Sequence, residues 1–231
     1  MAEKQGTKLA DIIAGRTLEN NTLWGYGGDD VLTGAELDDL ILGGKGNDQA
    51  NGGRSNDTLF GNSGNDVLRG GEGEDVLHGG DGNDILSGGK DGDVLFGGKD
   101  NDLVDGNSGN DVLFGNSGKD TLLGNSGNDW LFGGSGNDKI YAGSGHDKVV
   151  VSSGQDSYWG GEGFDEIDFS EIAGKVSIDL SRHTATLSFG KTTITDFVSG
   201  FESVRGSHGG TTFIGDRGDT QFLGGDKADY I

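Results

Sequence analysis

Residues 106–129 read GNSGNDVLFGNSGKDTLLGNSGND. The phrase Gly-Asn-Ser-Gly-(Asn/Lys)-Asp occurs three times in this stretch, at intervals of nine residues. Each unit joins a turn-forming run, one Asp and three strand-forming residues such as Val112-Leu113-Phe114. Extended in both directions from Gly25 as position 1, the period holds for sixteen units without insertion or deletion, as far as Asp168. Position 6 is Asp in all sixteen units, and position 8 is Leu, Ile or Val in fourteen, with Ala50 and Tyr158 as the exceptions. Position 1 is Gly except at Ala142 and Val151; position 4 is Gly except at Leu37, Ser55, Asp91 and Asp100. Upstream, residues 6–14 (GTKLADIIA) fit the same frame with Asp11 at position 6, and a ten-residue unit, 15–24, joins them to the array with Asn20 and Asn21 in place of the Asp. Repeats of this length indicate a solenoid, so the period takes precedence over any residue-by-residue reading.

The unit has a physical reading. Positions 7–9 form a short strand whose middle side chain points inward and whose flanking ones point outward. Positions 1–6 form a turn, with Gly supplying the left-handed backbone. Two units make a coil of 18 residues, and stacked coils pair their strands in parallel about 4.8 Å apart. The core is then a single file of Leu, Ile and Val, thin for a chain with 49 Gly and a net charge of −22. Low hydrophobicity with high charge favours disorder unless something else supplies folding free energy. With no Cys in the chain, disulfides do not supply it. Stacking also sets each position-6 carboxylate over the one a coil away, where like charges repel. Oxygen-only donors in that arrangement suit a hard divalent cation between them, and calcium above all. A lone Asp in a Gly-rich turn is more simply read as closing its own backbone, but sixteen in register are not.

These residues resemble the G-G-x-G-x-D-x-(apolar)-x repeat of the haemolysin-type, or repeats-in-toxin, calcium-binding proteins; clear copies are residues 70–78 (GGEGEDVLH), 79–87 (GGDGNDILS) and 133–141 (GGSGNDKIY). The resemblance implies an all-β fold, a right-handed parallel β-roll (a β-helix-like solenoid) of nonapeptide repeats with a C-terminal β-rich cap. It implies calcium ions held between turns two repeats apart. Carried over by position, the metal ligands are Asp30, Asp39, Asp48, Asp57, Asp66, Asp75, Asp84, Asp93, Asp102, Asp111, Asp120, Asp129, Asp138, Asp147, Asp156 and Asp165. Pairing each with the next but one allows up to about 14 sites. Leu37 places bulk where the turn calls for Gly, which puts the site of Asp39 in question. The implied organisation is a degenerate N-terminal cap over 1–24, the sixteen-repeat roll over 25–168, and a β-rich C-terminal cap with degenerate repeats over 169–231.

The same resemblance implies a protein secreted, or held at the cell surface, by the type I machinery of Gram-negative bacteria and folding on calcium outside the cell. The N-terminal segment shows no basic region followed by a long apolar run, and no apolar stretch is long enough to span a membrane. The acidity excludes nucleic acid as a partner. Beyond Asp168, residues 175–181, 184–190 and 191–197 alternate like antiparallel strands. Residues 215–231 return to the nine-residue beat, with Asp229 at position 6 and Ile231 at position 8. The terminal Asp-Tyr-Ile fits either a type I secretion terminus or a repeat cut short.

One feature is not explained by the fold. On alternate repeats position 9 carries Trp24, Leu42, Phe60, His78, Phe96, Phe114, Phe132 and Val150, an outward apolar stripe. Such a patch implies contact. The candidate covers are residues 169–205 or a neighbouring domain, a second copy, or a polysaccharide stacked on Phe60, Phe96, Phe114 and Phe132. Catalytic motifs are absent: no Cys, no H-E-x-x-H and no G-x-S-x-G. The sequence reads as a non-enzymatic scaffold or surface-interaction module. The alternative is the accessory part of a secreted enzyme (a mannuronan epimerase, lipase or metalloprotease) with its catalytic domain elsewhere.

Overall fold

The computed structural model describes residues 2–215, 220–225 and 229. Among them the chain winds as a two-sheet solenoid of 12 and 13 strands, with consecutive strands of the array alternating between the sheets. Every strand of the array pairs in parallel with its counterpart 18 residues away: Val94 lies opposite Val112, Leu95 opposite Leu113 and Phe96 opposite Phe114. Position 8 points inward throughout, and its side chains, from Leu32 to Ile167 and including Ala50 and Tyr158, are 0–1% exposed. The core is the expected single file.

The strands are longer than the three residues expected. Through the middle of the array they run for six or seven, as in Val76–Asp81 and Val112–Gly118, so that positions 7–9 continue to position 3. The ladder skips position 1 and resumes beyond it, Gly98 opposite Asn116 and Lys99 opposite Ser117. Position 2 takes a left-handed backbone, with φ of 122° at Gly98 and 71° at Asn116. That bend turns the corner while leaving the next two residues stacked on the coil below. Asn tolerates this region better than most residues, which accounts for its alternation with Gly there. Position 4 makes a second left-handed bend, which Ser55, Asp91 and Asp100 also adopt at φ of 68–70°. Leu37 does not adopt it, and its strand, Val31–Thr33, stops at three residues.

The worn N-terminal units stack like the rest. Ala2–Gln5 lies on Asn21–Trp24 and Ile12–Ala14 on Val31–Thr33. At the other end, Lys175–Asp179, Thr184–Phe189 and Thr192–Ser199 form the expected antiparallel set. They do not lie across the roll; they join its second sheet edge to edge. Thr192–Ser199 pairs in parallel with the repeat strand Ser157–Gly163, and Lys175–Asp179 pairs with Thr211–Ile214. Ile178, Leu180, Leu187 and Phe213 extend the core there. Gln221–Leu223 stacks on Ser203–Arg205 in the first sheet, continuing the roll. Asp229 bonds the Thr211 N–H, 18 residues back, at 2.8 Å; Ile231 lies outside the described residues.

The apolar stripe is a stack of rings on the first sheet. Phe60, His78, Phe96, Phe114 and Phe132 follow one another at centroid spacings of 4.7, 4.5, 4.8 and 4.7 Å, with planes inclined by 2–14°. This is the strand spacing itself. Their faces are taken up by one another and their edges look outward, each ring half-buried. Cover by residues 169–205 therefore does not describe the stripe as a whole, because their long strands belong to the second sheet. They meet it at its Phe132 end, where Phe132, Val150, Ile172, Ala173 and Phe189 line an apolar groove.

Candidate metal centre

Each turn brings its Asp against the coil before it. The Oδ1 of Asp48 accepts the backbone N–H of Asp30 at 2.8 Å, that of Asp84 accepts from Asp66 at 2.7 Å, and that of Asp165 accepts from Asp147 at 2.9 Å. Fourteen such rungs join the sixteen Asp in two columns, all at 2.7–2.9 Å across 18 residues. The carboxylates therefore bind coil to coil; they do not simply close their own turns.

The second oxygen is the chemically informative one. Oδ2 is buried and without any protein partner in Asp30, Asp48, Asp57, Asp66, Asp75, Asp84, Asp93, Asp102, Asp111, Asp120, Asp129, Asp138, Asp147 and Asp165. Their side chains are 0–4% exposed. Burial raises their proton affinity against the pull of the backbone N–H bond, and at Asp57, Asp66, Asp93, Asp102, Asp129 and Asp138 neighbouring carboxylates in the column add to it. Asp57 and Asp93 are pushed up to about 8; Asp66, Asp102, Asp129 and Asp138 to about 7; Asp48, Asp75, Asp84, Asp111, Asp120 and Asp165 to about 6. An unpaired buried charge costs several kcal/mol even after relaxation. A fold of about 5–15 kcal/mol total stability cannot carry fourteen of them uncompensated.

The surroundings of each Oδ2 suit a hard cation. A Cβ on Gly79 would stand 2.3 Å from Asp84 Oδ2 and 2.5 Å from the Gly97 carbonyl oxygen of the next coil; on Gly25 the same point lies 2.4 Å from Asp30 Oδ2 and 2.3 Å from Gly43 O. Glycine at position 1 thus keeps side-chain carbon away from a cradle lined by a carboxylate and a carbonyl oxygen. Among the described residues no three His, Cys, Asp or Glu side chains converge on one point. The rest of any coordination shell must come from backbone carbonyls or water, which fits calcium and its preference for six to eight oxygens.

Two of the sixteen differ. Asp39 Oδ2 accepts the Ala35 N–H at 2.8 Å, so this carboxylate closes its own turn, the one in which Leu37 refuses the left-handed bend. Asp156 Oδ2 accepts the hydroxyl of the fully buried Tyr158 at 2.7 Å, in the turn that begins with Val151 in place of Gly. Two further groups belong to the columns and escaped the sequence reading. Asp196 Oδ1 accepts the Asp156 N–H at 3.0 Å, and Glu202 Oε2 accepts that of Asp165 at 3.0 Å, so each column ends on a carboxylate outside the nine-residue frame. The signal was present in Asp196-Phe197-Val198-Ser199-Gly200, a unit's second half displaced by the insertion. At position 5, Asn side chains clasp the opposite way: Asn47 Oδ1 accepts the Asn65 N–H at 2.8 Å, and Asn65 Oδ1 accepts that of Asn83 at 2.7 Å.

The model of the RTX calcium-binding nonapeptide repeat matches the chain in seven overlapping segments between residues 6 and 158: 6–41, 33–68, 60–95, 78–113, 87–122, 114–149 and 123–158. No curated protein matches the chain.

Proposed function

The chain belongs to the RTX calcium-binding nonapeptide repeat family, and from that premise we propose that it is a secreted structural module which folds on calcium outside the cell, with the position-6 Asp as the ligands. Calcium binding by a β-roll is the family's property; the row of fourteen buried, unpartnered Oδ2 atoms is the observation that carries the assignment to these side chains. Calcium supplies charge neutralisation at each cradle. The chain's own residues do the rest: Oδ1 fixes coil to coil, position-1 Gly keeps the cradle open, and position 8 seals the interior. At cytosolic calcium the unpaired carboxylates favour the unfolded chain, a state fit for export through a type I channel. At about millimolar external calcium, binding to the folded state alone pulls the equilibrium over.

The aromatic ridge gives this scaffold a surface for contact. Its exposed ring edges favour a protein partner over a polysaccharide, since sugar stacking needs ring faces and these are already occupied. Far-ultraviolet circular dichroism tests the central reading. EDTA is expected to give mostly coil and millimolar calcium a β-spectrum, with magnesium a poor substitute because it holds its waters and demands tight octahedral geometry. A full β-spectrum in EDTA would refute calcium-driven folding.

A further inference from the structure

The column Asp30, Asp48, Asp66, Asp84, Asp102, Asp120, Asp138, Asp156 calls next for residue 174, which is Gly. The chain makes its antiparallel excursion there and returns with Asp196, 40 residues beyond Asp156, in the vacated place. Asp196 reproduces the features of a repeat Asp. Its Oδ1 accepts the preceding coil's Asp N–H, its side chain is 2% exposed, and its Oδ2 is buried without a partner. Asp156, below it, is already satisfied by the backbone of Asp138 in the next coil down and by the Tyr158 hydroxyl. The unmet demand at this end of the column therefore belongs to Asp196.

The local setting differs from the repeats. Asp196 stands inside the strand Thr192–Ser199, where no Gly-rich turn surrounds it. Its neighbours Thr193, Ile194 and Thr195 face the last repeat turn on this side across a cleft of ≈ 430 Å³, which Asn137, Gly154 and Gln155 line from the roll. Gln155 Nε2 spans the seam to the Thr195 carbonyl at 3.4 Å. Asp196 itself does not line this cleft: Thr193 and Thr195 face outward, while the Asp196 side chain is buried on the inner side of the strand with Val198, as the repeat Asp are with position 8. We propose that Asp196 is the ligand of one further hard divalent cation, held at the seam between turn 151–156 and the inserted strand. Such an ion fastens the antiparallel insertion to the repeat array by charge as well as by strand pairing. The proposal rests on the calcium reading of the array.

Native mass spectrometry of the calcium-loaded full chain tests it. Asp196→Asn keeps the Oδ1 acceptor for Asp156 and removes the anionic oxygen; it is expected to carry one calcium fewer than the parent. A parent chain that binds no calcium would refute the reading of the array itself. A parent that binds calcium, with Asp196→Asn retaining the full count, would overturn the Asp196 site and leave the array standing. If the variant fails to fold, crystals of the parent grown with strontium decide the matter. Anomalous density within about 2.6 Å of Asp196 Oδ2 supports the site; ions in the repeat turns with none at Asp196 overturn it.

Discussion

Replacing Asp84 by Asn should change the stability of this protein in opposite directions with and without calcium. Asn keeps Oδ1 as acceptor for the Asp66 N–H, now at 2.7 Å, and preserves shape and burial. What it removes is the anionic Oδ2. On the proposed reading that oxygen is a ligand in calcium, so its loss should raise the calcium midpoint, tenfold for each 1.4 kcal/mol of binding forfeited. In EDTA the same oxygen is an unpaired buried charge. Its pKa, raised by burial to about 6 from 3.8, corresponds to about 3 kcal/mol of destabilisation at pH 8. Removing it should therefore stabilise the calcium-free roll by an amount of that order. The calcium-free state can be brought into range with an excluded osmolyte, which favours burial of surface. Folding of parent and variant is then followed by circular dichroism against trimethylamine oxide in EDTA, and against calcium without osmolyte. The expected pattern is a lower osmolyte midpoint and a higher calcium midpoint for the variant. An Asp84→Asn protein that is less stable in both conditions would show that Oδ2 is not an uncompensated charge in the metal-free fold, and the argument for these carboxylates as ligands would fail.

Asp39→Asn should move the calcium midpoint much less than Asp84→Asn or Asp111→Asn, because Asp39 Oδ2 is already held by the Ala35 N–H; equal midpoints for the three would contradict the shared-ligand columns. Acidification should act through the same groups: Asp66 and Asp129 carry folded-state pKa values of about 7, above the value of 3.8 they start from, so the folded chain binds more protons than the unfolded one between about pH 4 and 7. The metal-free roll should then gain stability as pH falls through 7, while protons compete with calcium and raise its midpoint, both measurable by titration at pH 8 and pH 6. Gly79→Ala should be severe, since the added Cβ would stand 2.3 Å from Asp84 Oδ2 and 2.5 Å from Gly97 O, and melting in calcium should drop well below that of the parent. Phe96→Ser with Phe114→Ser breaks the ring stack at two adjacent positions, 4.8 Å apart; if the ridge is a contact surface, any self-association seen by analytical ultracentrifugation should be lost while the calcium midpoint stays near that of the parent.

Sequence alone determined the solenoid, its 18-residue coil and its inward file of position 8, and put the position-6 Asp forward as calcium ligands, because each depends on a local choice repeated until only one arrangement satisfies all copies. A position-2 Asn and a position-4 Ser or Asp could be read as tolerated turn residues, but not as bends that carry the strand around a corner, since that depends on the coil below. The rungs were likewise out of reach. Which oxygen of Asp84 meets a backbone N–H and which is left unpartnered is decided by a neighbour 18 residues away. The same holds for Tyr158, read as a core residue and found to satisfy Asp156 as well. Asp196 marks the limit most clearly. Its place in the column is fixed by stacking in space, while the 40-residue step from Asp156 breaks the period by which sequence reading recognises a column member. The aromatic stripe was legible as a list, but only the 4.5–4.8 Å spacing of the strands turned the rings face to face and left their edges for a partner.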